Sequence, residues 1–163
     1  VMPSHLGDNE AEIVERLVRL GSHVPQGVTL GYHLCYGDSG HKHFKEPEDT
    51  TKLVKIANSI SSSIDRNLDW IHMPVPRDRS DDAYFEPLTG LNLQSGTEFY
   101  LGLVHFTDGV QGAQRRIDTA QKHAPKFGIA TECGFGRRPL ETVVPLMEIH
   151  SALSESRYFP QNI

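Results

Sequence analysis

The sequence predicts an α/β fold in which four βα units follow an initial helix. Strand-like and helix-like segments alternate every 30 to 40 residues or so, roughly the period of βα units with parallel strands. The chain has 163 residues, of which 37% are hydrophobic and 23% charged, a composition typical of one globular domain. A closed (β/α)8 barrel needs eight such units. Residues 1–163 are therefore expected to form either a small open sheet or half of a TIM barrel.

Four apolar segments predict the strands. GVTLGYHLC, residues 27–35, is the first, and LDWIHMPV, residues 68–75, is the second. The second segment ends at two prolines, which cannot donate to a strand ladder. TEFYLGLVHF, residues 97–106, is the third strand, and KFGIATEC, residues 126–133, is the fourth.

Apolar residues at helical spacing predict the helices between these strands. The first helix is capped by Asp8 or Asn9, the second begins at Asp49 or Thr50, and the last opens with Pro139. A short helix is expected over residues 84–91. The apolar stripes are Ile13, Val14, Leu17 and Val18, then Leu53, Ile56, Ala57, Ile60 and Ile64, then Val110, Ala113, Ile117 and Ala120, and finally Leu140, Val143, Val144 and Met147.

Composition and charge exclude several classes of function. The formal net charge is −5 and no block of five basic residues occurs, so a nucleic-acid partner is not expected. The sequence has neither a long apolar run nor a basic and apolar start, which predicts no membrane partner and a cytoplasmic location. Two cysteines far apart do not make a disulfide framework, and cysteines of cytoplasmic proteins more often serve metal or catalytic chemistry. The histidine-rich loop at residues 41–43 is polar and is expected to be solvated.

Residues that bind metals or carry protons stand at the ends of all four predicted strands. The ends of parallel strands meet at one rim, where ligands bind. His33 and Cys35 close the first strand, and side chains two apart on a strand point to the same face. The other strands end with His72 and Met73, with His105, and with Glu132 and Cys133. Both cysteines of the chain therefore fall on this rim.

His33, Cys35 and Cys133 form a predicted zinc site with one position left open. Two thiolates and a neutral imidazole balance the charge of Zn²⁺. Such a site favours a soft fourth ligand, so a thiol would bind as its thiolate with a lowered pKa. Hydrolytic zinc sites use histidine and carboxylate ligands instead. The predicted ligand set therefore indicates alkyl transfer to sulfur.

Three further residues are candidates for this site, and each has a simpler explanation. His72 and Asp78 are candidates for a fourth metal ligand. A histidine beside Trp70 is equally well explained as a core residue, and the turn around Asp78 as a solvated charged loop. His105 is a candidate proton carrier, although it could instead bond a loop carbonyl. The cysteines, taken singly, could be small buried hydrophobes.

The motifs YHLCYGD and ATECGF resemble the catalytic domain of cobalamin-independent methionine synthase and its relatives in the superfamily that includes uroporphyrinogen decarboxylase. The resemblance covers residues 29–138 and corresponds to the second half of that family's barrel. It implies that His33, Cys35 and Cys133 hold zinc, which binds the homocysteine sulfur. It also implies that His105, in LGLVHFTDG, assists departure of the methyl group from the folate. The glutamate ligand of methionine synthases has no counterpart in LDWIHMPVP.

The resemblance implies a zinc-dependent methyltransferase that acts on a small-molecule thiol and takes its methyl group from a folate or a corrinoid-linked donor. Two other functions stay open. One is a zinc-thiol enzyme of the same superfamily with another alkyl donor, or a thioether lyase. The other is a non-catalytic half-barrel that serves as a structural or partner-binding subunit. Because open sheet edges are normally covered, a half-barrel is expected to pair with a second copy or with a complementary half-barrel chain, or to be a fragment completed by a missing N-terminal half.

Overall fold

Helices and strands alternate along the described chain. A computed structural model describes residues 10–37, 46–124, 126–133 and 135–155, so the helix cap expected at Asp8 or Asn9 and the loop at residues 41–43 lie outside it. The helices are α1 (Glu10–Ser22), α2 (Thr51–Ser63), α3 (Asp82–Phe85), α4 (Gly109–His123) and α5 (Leu140–Glu155), with short 3-10 helices at Glu86–Gly90 and Phe135–Arg137. The strands are β1 (Gly31–His33), β2 (Trp70–Pro74), β3 (Glu98–Val104) and β4 (Gly128–Thr131). No helix in the described ranges is long and apolar enough to cross a membrane.

The four strands form one sheet in the order β1-β2-β3-β4, and every neighbouring pair is parallel. The predicted α/β class is thereby confirmed. His33 pairs with His72, and His72 pairs with Tyr100 on the next strand. Paired residues of neighbouring strands point to the same face, so these three side chains form one row across the sheet.

The helices cover one face of the sheet. Ile71, Met73, Leu101 and Leu103 point to this face, are completely buried, and belong to the same core as the apolar residues of α2 and α4. Tyr32 pairs with Ile71, and its hydroxyl donates to the Leu17 carbonyl of α1 over 2.7 Å. Helices α1, α2 and α4 therefore lie on the same face of the sheet.

The opposite face of the sheet is more open. Trp70, His72 and Tyr100 point to this side, because strand side chains alternate, and all three are only half-buried. His33, in the same row, is exposed. Among the described residues no helix covers this part of the sheet, which we call the open face.

Most predicted elements are confirmed, but β1 is shorter than the segment GVTLGYHLC indicates. Its ladder covers only three residues. The N–H of Leu30 donates to the Asp69 carboxylate over 2.6 Å, where a longer strand would bond to its neighbour's backbone. Beyond the strand, Leu34 N–H still donates to the His72 carbonyl over 2.9 Å, so the chain stays alongside β2 up to the rim. Helix α5 continues through Pro145.

A buried ion pair fixes the end of β3 that faces this rim. Arg116 of α4 is 1% exposed, and its Nε donates to the Leu103 carbonyl over 2.9 Å. Its other nitrogens donate to both carboxylate oxygens of Asp108, at 2.7 and 2.9 Å. A further hydrogen bond reaches the Arg77 carbonyl in the loop after β2. The pair therefore ties together the C-terminal ends of two strands and the start of α4.

Candidate metal centre

His33, Cys35 and Cys133 come together at the C-terminal ends of β1 and β4. One candidate ligand atom from each residue lies within 4.8 Å of the other two. Zinc binds sulfur at about 2.3 Å and nitrogen at about 2.0–2.1 Å in tetrahedral geometry, so the ligand atoms of one ion lie roughly 3.4–3.8 Å apart. The three residues are therefore close enough for small side-chain adjustments to bring them onto a single metal ion.

The two cysteines approach each other from opposite edges of the sheet. Neighbouring strands lie about 4.8 Å apart, so β1 and β4 would be separated by roughly 14 Å along a flat sheet. The sulfurs of Cys35 and Cys133 are nevertheless only 2.8 Å apart. The strand ends and the residues that follow them must therefore bend toward each other. Because His33 points to the open face and joins the two cysteines, the open face is on the inside of this bend.

The donor set fits zinc. Both cysteines are free, and their sulfurs lie 2.8 Å apart. One imidazole nitrogen and two sulfurs are the ligands that zinc prefers, and as thiolates the sulfurs balance its charge. Cys35 is exposed whereas Cys133 is 8% exposed, so the group opens to solvent on the Cys35 side.

His72 lies against His33 and is not part of the three-residue group. The Nδ1 atoms of the two rings are 2.6 Å apart, and the ring centroids are 4.7 Å apart. Burial, followed by the charge of His33, lowers the pKa of His72 to about 4. Its Nε2 is buried and has no partner in good hydrogen-bond geometry among the described residues, although the Thr131 carbonyl lies beside it. Asp78, the other candidate fourth ligand, is exposed in the loop after β2 and is also outside the group.

His105 is buried at the end of β3, with 3% of its surface exposed. Its Nε2 donates to the Val75 carbonyl over 2.9 Å, and its Nδ1 lies 2.7 Å from the Glu132 carboxylate. Burial, followed by the charge of Arg116, lowers the pKa of His105. Both ring nitrogens are therefore engaged, Nε2 with the Val75 carbonyl and Nδ1 with Glu132. The role of His105 as a proton carrier stays a prediction.

Two contacts at this rim cannot be found from residue spacing alone. Glu132 joins His105 to Arg138 through an ion pair, and it directly precedes Cys133. The sequence signal for this pair is only an acidic and a basic residue flanking the glycine-containing turn. The contact between His33 and His72 depends on the register of β1 against β2, which no sequence motif records.

Comparison with models of known protein families gives no match, and a search of curated proteins finds no relative of this chain. The resemblance to methionine synthases therefore stays a prediction drawn from the two motifs that hold His33, Cys35 and Cys133. The functional argument rests on the geometry of these three residues.

Proposed function

We propose that this protein binds zinc through His33, Cys35 and Cys133 and transfers an alkyl group, most simply a methyl group, to a thiol. The observation that carries the proposal is the convergence of these three side chains. Cys35 and Cys133 are 98 residues apart in the sequence, and both thiols of the described chain meet a histidine at one point. Together with the methionine synthase-like motifs, this ligand set favours sulfur chemistry over hydrolysis.

Zinc held there would supply the positive charge that lowers the pKa of a bound thiol. The residues of the chain itself would provide a route for the thiol to reach the metal and a proton for the leaving group. The exposed side of Cys35 gives a small thiol a route to the group, while the burial of Cys133 excludes water from the opposite side. His105 and Glu132, whose Nδ1 and carboxylate oxygen are 2.7 Å apart, are the proposed carriers of the proton that a leaving group would take up.

Metal content tests the binding step. We expect about one zinc ion per chain, by mass spectrometry, in protein purified without an affinity metal. Cys35→Ser, Cys133→Ser and His33→Asn should each lose most of it, because a site with two protein ligands binds far more weakly. His123→Asn is the matched control, since His123 bonds to Asp82 on the helical side of the protein, 2.9 Å away. Zinc retained in both cysteine variants would contradict the proposal.

Turnover tests the chemistry. The zinc-loaded protein should convert homocysteine or another small thiol to its methyl thioether with a methylated folate or a methyl corrinoid as donor, and Cys133→Ser should abolish the product. Product formed only with other alkyl donors, or thioether cleavage, would indicate the related alkyltransferase or lyase. Zinc binding without turnover under all these conditions would favour a non-catalytic subunit.

The open face supports a second proposal, namely that a further (β/α) half covers it. Parallel sheets are normally covered on both faces. Strands β1 and β4 are edges of the described sheet, and α5 exposes Leu140, Val144 and Met147. The sequential strand order and the bend between the sheet edges fit half of a (β/α)8 barrel. Sedimentation analysis should detect a dimer, or a complex with a co-expressed complementary half-barrel chain, and a stable monomer would contradict this proposal.

A further inference from the structure

His33 offers only one of its two ring nitrogens to a metal, because the other is already engaged. Its Nδ1 lies 2.6 Å from Nδ1 of His72, which is a hydrogen-bond distance. Two nitrogens at this distance need a proton between them. Nε2 of His33 is then the nitrogen that would bind a metal.

The surroundings of His72 indicate which ring donates. Its Nε2 is buried, and the backbone of Thr131 acts on the ring as a hydrogen-bond acceptor, although the contact lacks good hydrogen-bond geometry. A carbonyl only accepts hydrogen bonds, so it favours the His72 tautomer that carries the proton on Nε2. Nδ1 of His72 is then an acceptor, and Nδ1 of His33 is the donor. In this tautomer of His33, Nε2 carries the lone pair that would bind zinc.

Gly102 makes room for this arrangement. A Cβ atom at position 102 would lie 3.1 Å from His72 Nε2, 3.0 Å from the Thr131 oxygen and 3.2 Å from Pro74 Cα. A glycine inside a strand often marks a place where another group approaches closely. Here the groups that approach are the His72 ring and the β4 backbone, two residues before Cys133.

On this basis we propose that His72 is a positioning residue and not a metal ligand: it accepts a hydrogen bond from His33 Nδ1 and directs His33 Nε2 toward the metal. The inference rests on the proposed zinc site and deepens it. Ligating histidines generally donate their second N–H to a neighbouring acceptor, and loss of that acceptor typically lowers metal affinity by about 10- to 100-fold. A neighbouring imidazole fills that role here.

Two substitutions separate this role from that of a fourth ligand. His72→Asn keeps an acceptor near the position of Nδ1, whereas His72→Phe keeps a ring of similar size without an acceptor. Zinc affinity, measured by competition with a chelator, should fall about 10- to 100-fold in the Phe variant and stay within a few-fold of wild type in the Asn variant. His150→Phe, at a half-buried histidine of α5, is the control for general effects. Equal affinities in the Phe variant and wild type would overturn the proposal.

Spectroscopy of the wild-type protein gives a test that needs no variant to fold. Long-range ¹⁵N NMR should show His33 with its proton on Nδ1 and zinc on Nε2, and His72 with its proton on Nε2 and no metal. X-ray absorption should show two sulfur ligands and one imidazole. A second imidazole on zinc, or zinc on His33 Nδ1, would overturn the proposal and leave the zinc site intact. Protein that binds no added Zn²⁺ would instead refute the proposed function, and this inference with it.

Discussion

Replacing Gly102 with alanine should destabilise the protein, although alanine is ordinarily better than glycine in a strand. The new methyl group would lie 3.0 Å from the Thr131 oxygen and 3.2 Å from Pro74 Cα, whereas non-bonded carbon atoms prefer about 3.5–4.0 Å. Inserting a methyl group into a packed site costs about 1–3 kcal/mol. Removal of the glycine recovers about 0.5–1 kcal/mol of this. The expected net loss of unfolding free energy is therefore centred on about 1 kcal/mol, within a range of about 0–2.5 kcal/mol.

Urea unfolding measures this loss, and two glycines of the same chain provide matched controls. A Cβ at Gly27 or Gly90 would have no heavy atom within 4 Å. Gly27→Ala and Gly90→Ala should therefore change stability by no more than about 0.5–1 kcal/mol, in the stabilising direction. Gly102→Ala should also lower zinc affinity, because the methyl group would displace the His72 ring from the β3 side and disturb its 2.6 Å contact with His33. If Gly102→Ala matched the control variants in both stability and zinc affinity, the packing argument would be refuted.

Two further predictions concern the ion pair and the thiols. Asp108→Asn should lower the free energy of unfolding, measured by urea denaturation, by about 3 kcal/mol. This is the low end of the range for breaking a buried ion pair, and the loss arises because Arg116 would keep a buried charge without its partner. Although burial raises the pKa of Asp108, the hydrogen bonds and charge of Arg116 lower it overall, so wild-type stability should fall with pH below about 4 and less steeply in Asp108→Asn. If the unfolding free energy of the variant fell with pH below about 4 as steeply as that of wild type, this prediction would be contradicted. Zinc should slow the alkylation of Cys35 and Cys133 by iodoacetamide on the order of tenfold. In the metal-free protein, diamide should oxidise the two cysteines to a disulfide. Mass spectrometry follows both reactions. Equal alkylation rates with and without zinc would refute a shared site.

The fold was largely predictable because apolar periodicity survives in this sequence. The apolar stripe of α2 and the alternation along β3 correspond to the buried faces of those elements. The length of β1 was not predictable. The side chain of Asp69 accepts the hydrogen bond of the Leu30 N–H, which would otherwise bond to the backbone of the neighbouring strand. The apolar run GVTLGYHLC gives no sign of this competing hydrogen bond.

The candidate ligands were predictable for a different reason. A spacing of two puts His33 and Cys35 on one side of the chain, and the second cysteine also ends a strand. Their partners were hidden, since they depend on strand register and burial. His72 lies beside His33 only because their strands pair at that residue, and His105 is enclosed by the carbonyl of Val75 and by Glu132.

The meeting of Cys35 and Cys133 across the sheet has a consequence for the unfolded chain. In the unfolded chain these cysteines are 98 residues apart in sequence and share no metal, so zinc would stabilise only the folded state, by about 2.7 kcal/mol when free zinc is 100 times its Kd. The ligands meet only when the first and last strands of the sheet are both in place. Zinc would therefore act as a tether for the whole domain, and its removal should lower the melting temperature of helices far from the rim as much as that of the rim itself.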